Sequence, residues 1–138
     1  MTGGGAVRPE ERELIRSLYD AMSRRDVAAL EAQSALGGDF EWRSAPEEPD
    51  IRVRRGGLAA IAHSKELFET FDRLDLDIER EIDVGPDRVI FEVHISVRGA
   101  ASGAAGERRE FHLWTAESGR PVSLYEFSSL DEAMRAAG

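Results

Sequence analysis

The stretch that decides the fold is Arg88-Val89-Ile90-Phe91-Glu92-Val93-His94-Ile95-Ser96-Val97-Arg98. All of its odd-numbered positions are apolar, whereas the even-numbered ones include Glu92, His94, Ser96 and Arg98. A period of two residues predicts a β-strand that turns one face to a core and the other to polar surroundings. We therefore expect the odd-numbered side chains to lie on the buried side of a sheet.

The same period continues on both sides of this stretch and predicts a run of four antiparallel strands. An earlier strand extends from Leu74 to the turn at Gly85, and a later one covers about Glu107–Glu117. Ser118-Gly119 is a two-residue hairpin signal. It leads into the last strand, Arg120–Ser128, whose side chains we expect to pair with those of the strand before it.

The first half of the chain has helical periodicity. Apolar residues at three- and four-residue spacing predict a helix from Pro9 to about Arg25. Asp26 is suited to cap a second, short helix that extends through Ala35. A short strand follows, in which Phe40 and Trp42 share one face, and a third helix begins after Gly57 and ends near Asp72.

This order of elements predicts an α+β fold. Three N-terminal helices pack on a curved antiparallel sheet and form a cone-shaped α+β barrel, closed by a short helix over Leu130–Ala137. A hollow of this kind is suited to a small apolar molecule. We expect residues 1–7 to be a disordered tail and residues 8–138 to form one domain, since 138 residues suit a single core.

Composition narrows the classes of function. The net charge of −9 and pI near 4.9 argue against nucleic acid as a partner, because phosphates require a basic face. No apolar run is long enough to span a membrane, and cytoplasm is the expected compartment. The absence of cysteine excludes disulfides and cysteine-ligated zinc. Gly37-Gly38 and Gly56-Gly57 lack the spacing of nucleotide-binding loops, so we expect no cofactor.

Several local phrases, in this order and spacing, resemble the SnoaL-like branch of the nuclear transport factor 2-like superfamily. The resemblance extends from about Arg8 to Gly138. The phrases are Leu18-Tyr19-Asp20-Ala21 with Arg25-Asp26, Asp39-Phe40-Glu41-Trp42-Arg43, Arg55-Gly56-Gly57, and His112-Leu113-Trp114-Thr115 before Gly119.

The resemblance implies a fold and a pocket rather than one reaction. Polyketide cyclases, ketosteroid isomerases, limonene-epoxide hydrolases, scytalone dehydratases and non-catalytic scaffolds share this architecture. Counting from Asp26 and Gly119, the phenol, base and second acid of ketosteroid isomerase fall on Leu18, Ser44 and Phe111. None of these can perform the corresponding proton chemistry, which argues against that mechanism.

The resemblance also implies which side chains of the last two strands face the pocket. Phe111, Leu113, Leu124 and Glu126 are expected inside, whereas His112, Trp114, Ser123 and Tyr125 are expected on the outer face. Together with the helical and strand periods, this predicts a ligand pocket lined by Leu18, Tyr19, Phe40, Trp42, Phe68, Phe91, Val93, Arg109, Phe111 and Leu124. Trp42 and Tyr19 are then either ligand contacts or core aromatics.

Glu126 is the candidate catalytic residue. It alternates with Val122 and Leu124 on an apolar face, where loss of water would raise the pKa of its carboxyl towards that of a general base. In the predicted hairpin it lies opposite Phe111, with Arg109 one diagonal step away. The alternative is a structural ion pair between Arg109 and Glu126.

His112, Trp114 and Tyr125 together predict a homodimer through the outer face of the sheet, since large apolar groups on an exposed sheet mark an interface. His94 and His112 could also sit side by side near Glu92 or Glu110. Without a metal-binding spacing, we expect packing there and no metal site.

Two functions remain open from the sequence. One is cofactor-independent acid–base catalysis on a small hydrophobic molecule, by isomerisation, cyclisation, dehydration or epoxide opening. The other is a non-catalytic module of the same fold that binds a ligand or assembles as a dimer.

Overall fold

The computed structural model describes residues 7–32, 38–45 and 53–138. Its elements, in chain order, are α1 Pro9–Ser23, α2 Val27–Glu31, β1 Glu41–Arg43, β2 Val53–Arg55, α3 Gly57–Thr70, β3 Phe71–Asp83, β4 Arg88–Gly99, β5 Ala105–Glu117, β6 Arg120–Phe127 and α4 Leu130–Ala137. The predicted α+β class is confirmed. Residues 1–6 of the predicted tail, and the predicted second helix beyond residue 32, lie outside the described residues. Val7 is buried in the core.

The sheet differs from the prediction in two respects. Its six strands have the order β2-β1-β6-β5-β4-β3, and β1 pairs parallel with β6 while all other pairs are antiparallel. Within the part of the chain that the structure describes, β2 and β3 are left as edges. The sheet is therefore mixed and open, not a closed barrel. The expectation of three N-terminal helices holds only in part, because α3 follows β1 and β2.

Helix starts follow from local capping. Pro9 opens α1 at a position where its missing N–H costs nothing, and Glu11 accepts a hydrogen bond from the backbone N–H of Arg8 at 2.9 Å. Asp26 caps α2 by accepting from the N–H of Ala29 at 3.0 Å, as the sequence predicted. Ser129 caps α4 by the same mechanism.

The odd-numbered side chains of β4 lie on the helix side of the sheet, as predicted. Phe91 and Val93 are fully buried there in one core cluster with α1 and Trp114. The opposite face is also covered, because Ile90 and Leu113 pack against Ala133 of α4. Both faces of the central strands are therefore apolar where a helix lies over them.

A β-bulge between β5 and β6 decides which side chains face the helices. Ala116 pairs with Pro121, but Thr115 pairs with Ser123, so Val122 has no partner on β5 in these two fully described strands. An extra residue in one strand shifts every later pair by one position. Trp114 consequently lies opposite Leu124, and the even-numbered side chains of β5 turn towards the helices.

The bulge corrects the predicted hairpin register. Without it, the turn at Ser118-Gly119 would pair Phe111 with Glu126, as the sequence suggested. The structure instead pairs Phe111 with Phe127, and His112 with Glu126.

The described residues contain no helix that combines the length and the apolar character required to cross a membrane.

Candidate functional site

The helix side of the sheet encloses a cavity of about 770 Å³. Its walls come from α1, α2, α3, β1 and the inner face of β3 to β6, and they are mostly apolar. The apolar lining comprises Leu18, Met22, Leu30, Phe40, Ala60, Ile61, Leu67, Phe71, Leu74, Leu76, Ile95, Val97 and Leu124. A space of this size accommodates a small organic molecule.

The polar side of the cavity is formed by alternate residues of β5. Arg108 lies at the rim with 57% of its side chain exposed, whereas the side chains of Glu110 and His112 are each only 4% exposed. Trp114 is buried still further along the strand. A row of charged and titratable groups therefore extends along the inner face of β5, from the solvent to the core.

These groups are joined by short hydrogen bonds to α1. The indole Nε1 of Trp114 donates to the hydroxyl oxygen of Tyr19 at 2.9 Å. The same hydroxyl lies 2.6 Å from Nδ1 of His112. On the other side of the imidazole ring, Nε2 lies 2.8 Å from Oε1 of Glu110, whose carboxylate also contacts Arg108. The chain of contacts connects the core to the rim.

Glu126 of β6 faces the same imidazole. One of its carboxyl oxygens accepts a hydrogen bond from the indole Nε1 of Trp42 at 3.0 Å and lies 3.9 Å from Nε2 of His112. Burial is the largest influence on this group and raises the pKa of Glu126, although the charge of His112 acts in the opposite direction. Burial therefore favours the protonated form of this carboxyl.

The pKa values of Glu110 and His112, the two neighbours of Glu126, shift in directions that indicate coupled titration of the three groups. Burial alone would raise the pKa of Glu110, but the hydrogen bond and charge of His112, together with Arg108, lower it. Burial alone would lower the pKa of His112, but the hydrogen bond to Glu110 and the charge of Glu126 raise it. Glu110 thus stays a carboxylate while Glu126 is the group that readily binds a proton.

Donor atoms of Glu110, His112 and Glu126 all lie within 4.8 Å of one another, a spacing that could surround a cation. The surroundings fit a proton better. Arg108 already neutralises Glu110, and the indole N–H of Trp42 already donates to Glu126. A cation at this position would face a guanidinium and compete with an N–H donor for both carboxylates.

The structure brings part of the predicted set together. Leu18, Tyr19, Phe40, Trp42, Leu124 and Glu126 all line the cavity, as does Ser44. That they bind a ligand stays a prediction.

Phe68, Phe91 and Val93 do not line this cavity. Phe91 and Val93 lie on the expected side of the sheet but are fully covered by other core residues. Phe68 packs instead beneath the guanidinium of Arg25, which lies 5.1 Å from its ring centroid and donates to the carbonyl oxygens of Phe68 and Phe71.

Arg109 and Phe111 were predicted inside and lie on the opposite face. Arg109 is half exposed and pairs with Glu79 at 2.6 Å and with Glu92 at 3.2 Å. The alternative of a structural ion pair between Arg109 and Glu126 is therefore wrong. Phe111 belongs to the apolar cluster under α4. Both errors follow from the bulge at Val122.

The predicted dimer face was wrong for two of its three residues. His112 and Trp114 are buried on the helix side, where they form the site. Tyr125 does lie on the outer face, and its hydroxyl donates to Glu41 while Arg43 stacks on its ring at 4.7 Å. The homodimer stays a prediction, without these two residues as its basis.

Sequence reasoning missed Glu110 as a site residue and placed His112 on the wrong face. One signal was available in Pro121. Proline within a sheet is confined to edges, strand starts and bulges, and Pro121 is the second residue of a central strand. A bulge next to it would have moved Glu110 and His112 inside.

A model of the SnoaL-like domain matches residues 15–124 of this chain. Among solved structures, a protein of unknown function from Burkholderia pseudomallei, described as like nuclear transport factor 2, is 21% identical with a TM-score of 0.73. The match covers 93% of this chain and 97% of that one. A protein from a Jannaschia species, described as a SnoaL-like polyketide cyclase, is 19% identical with a TM-score of 0.74, over 99% and 97% of the chains.

A protein from M. tuberculosis, described as an LEH-like epoxide hydrolase, is 15% identical with a TM-score of 0.67, over 93% of this chain and 88% of that one. These likenesses show the shared fold. No curated protein matches the sequence.

Proposed function

Because this chain belongs to the family of SnoaL-like domains, we propose that it is a cofactor-independent enzyme that performs acid–base chemistry on a small, largely apolar molecule. Glu126 transfers the proton, and His112 with Glu110 supplies the polar surroundings in which it does so. The substrate occupies the cavity between the helices and β5. The family alone does not specify the reaction, so the proposal rests on the site.

The observation that carries the proposal is the environment of Glu126. Its side chain is 15% exposed, lines an apolar cavity and has no arginine within ion-pair distance among the described residues. A carboxyl group in such a place favours its protonated form, so its pKa rises towards the pH at which general acids and bases work best. Trp42 holds the group in a fixed position.

The reaction types in keeping with this site all move one proton. Isomerisation, cyclisation, dehydration and epoxide opening each need a group that removes a proton and a nearby donor that stabilises a developing negative charge. Glu126 and His112 provide such a pair across 3.9 Å. Two of the similar solved structures are described as a polyketide cyclase and an epoxide hydrolase. Cyclisation and epoxide opening are both among the reactions named above.

A second function, non-catalytic binding of a hydrophobic ligand, is favoured by one observation. Leu18 and Ser44 line the cavity at the two positions where ketosteroid isomerases carry a phenol and a base. The chain therefore lacks that set, as expected of a module that binds a ligand without turning it over. We retain the predictions of a homodimer and of a cytoplasmic location for either function.

The test compares Glu126→Gln with Glu107→Gln. Glu107 belongs to the same sheet, but its side chain is 70% exposed and contacts His94 and Ser96 on the outer face, which makes it the matched control. Wild type and variants are assayed against a panel of small enones, epoxides and β-hydroxy ketones, and an apolar fluorescent dye reports occupancy of the cavity. We expect Glu126→Gln to lower kcat by about 10²–10⁴-fold, the usual contribution of a general acid or base, while dye affinity is retained.

Glu107→Gln should change neither quantity. Full turnover by Glu126→Gln would contradict the catalytic role. Tight binding of panel compounds without turnover by the wild type would favour the binding module.

A further inference from the structure

We infer that Trp114 and Tyr19 are positioning residues that fix His112 in the tautomer with its proton on Nε2. His112 then presents a hydrogen-bond donor, and not a base, to the carboxylates and the cavity. This inference rests on the proposed function for its catalytic consequence, but the tautomer itself can be measured without any substrate.

The direction of each hydrogen bond follows from what its donor can do. An indole N–H can only donate, so the hydroxyl oxygen of Tyr19 accepts from Trp114 at 2.9 Å. The phenol has one proton of its own, and its other neighbour is Nδ1 of His112 at 2.6 Å. Nδ1 therefore accepts, which leaves the imidazole proton on Nε2. From there it donates to Glu110 at 2.8 Å.

The opposite tautomer leaves groups unsatisfied. With the proton on Nδ1, the hydroxyl of Tyr19 would accept from both His112 and Trp114, and its own proton would lose its acceptor inside the core. The bare lone pair of Nε2 would then face the carboxylate of Glu110. A buried donor without an acceptor is destabilising by itself, and two facing acceptors add to that cost.

Packing of the surrounding rings holds the hydroxyl of Tyr19 in the position from which it bonds to both Trp114 and His112. The tyrosine ring is stacked between Phe91 and His112, with both centroids 5.7 Å away, and Trp114 meets its edge at 6.0 Å. All four rings are buried. Burial also raises the pKa of Tyr19 well above its ordinary value, so the phenol stays a neutral donor.

The arrangement divides the chemistry between two residues. Nε2 of His112 carries a proton, whereas Glu126, 3.9 Å from it, is the group that can accept one. Glu110 and Arg108 of β5, Glu126 of β6 and Tyr19 of α1 are the ionisable groups that face the ring. A donor bond to Nδ1 favours the neutral imidazole, so Tyr19 opposes a second protonation that the two carboxylates promote.

The test is ¹⁵N NMR of the three histidines in the complete protein, which reports the protonation of each ring nitrogen directly. Substitution of His63 and His94 assigns their signals and leaves His112. At a pH above the pKa of His112, where its imidazole is neutral, we expect protonated Nε2 and unprotonated Nδ1 in the wild type. Tyr125→Phe is the matched control, since Tyr125 is the only other tyrosine and lies on the outer face.

Two variants test the cause. Tyr19→Phe removes the donor to Nδ1, so we expect a mixture of tautomers and a higher pKa of His112. Trp114→Phe frees the Tyr19 oxygen to accept from Nδ1, so we expect a measurable Nδ1-protonated population. In a turnover assay, Tyr19→Phe should lower kcat by about tenfold, with KM changed less than about threefold.

A wild type whose neutral imidazole carries its proton on Nδ1 would overturn the inference, even if neither variant folded. Unchanged tautomers in both variants would overturn the roles of Tyr19 and Trp114. If the tautomer is as stated but no substrate is turned over, the proposed function fails while the assignment of the proton stands.

Discussion

The two carboxyl groups that flank His112 should respond in opposite ways to the same substitution. Glu110 is held as a carboxylate by His112 and Arg108, and its pKa is lowered although burial acts to raise it. Burial raises the pKa of Glu126. Replacing each by glutamine removes a stabilising charge in the first case and a costly one in the second. We therefore expect Glu110→Gln to destabilise the fold and Glu126→Gln to leave it unchanged or stabilise it.

The expected size follows from the contacts. Removing one partner of a buried ion pair costs about 3–5 kcal/mol. Arg108 is 57% exposed and recovers hydration, so we expect about 2–3 kcal/mol for Glu110→Gln. For 138 residues the unfolding entropy is about 0.3 kcal/mol/K, which makes this a fall in Tm of about 7–10 °C. For Glu126→Gln the gain is about 0–1 kcal/mol, because the amide oxygen still accepts from Trp42.

The pH dependence separates the two charges. A carboxyl with a lowered folded pKa stabilises the protein above its unfolded pKa, and this contribution is lost as pH falls through the folded value. Glu110→Gln should therefore differ least from wild type in acid. Glu126 has a raised folded pKa, so it destabilises the protein as pH rises from its unfolded pKa to its folded pKa. The stability of Glu126→Gln relative to wild type should therefore increase between those two pKa values.

The assay is thermal and urea unfolding of both variants and of Glu107→Gln from about pH 3, where the contribution of Glu110 is being lost, to pH 8. A loss of stability in Glu126→Gln equal to that in Glu110→Gln would refute the reasoning, because Glu126 would then be a structural charge.

Three further outcomes are expected. Ala60→Phe places a ring inside the cavity, so dye affinity measured by fluorescence titration should fall at least tenfold without loss of Tm; unchanged affinity would place the dye elsewhere. Burial acts to raise the pKa of Glu81, but hydrogen bonds from Arg16 and Arg12 lower it, so Glu81→Gln should cost about 1 kcal/mol at pH 7 and less as pH falls through the folded pKa. Ser129→Ala removes the cap of α4 and should cost about 1 kcal/mol in urea unfolding, whereas an unchanged midpoint would show that the cap is not needed.

Much of the fold could be predicted because its periodicities are unambiguous. The alternation in Arg88–Arg98 placed Phe91 and Val93 on the helix side, and the helical spacing of the first segment placed Leu18 and Tyr19 there as well. The parallel pairing of β1 with β6 could not be predicted, since pairing between distant strands leaves no local pattern. The open edge at β3 was hidden for the same reason.

The site could be predicted only where no bulge intervened. Glu126 follows the bulge on β6 and was placed correctly relative to Leu124, because the alternation of a single strand needs no partner. The face of β5 was inferred by counting back from Gly119 through the hairpin, and the unpaired Val122 makes that count wrong by one. A register error of one residue moves every side chain to the other face, so Glu110 and His112 were lost together.

The bulge at Val122 also means that one residue of β6 decides whether Glu126 reaches the cavity. The face of β5 is held by its pairing with β4, in which Phe91 lies opposite His112. Loss of Val122 from the hairpin would therefore reverse the side chains of β6 and turn Glu126 to the outer face, while Glu110 and His112 stayed in the cavity. In a lineage of such domains, a three-nucleotide deletion could remove the proposed proton acceptor while every other codon of both strands stayed the same.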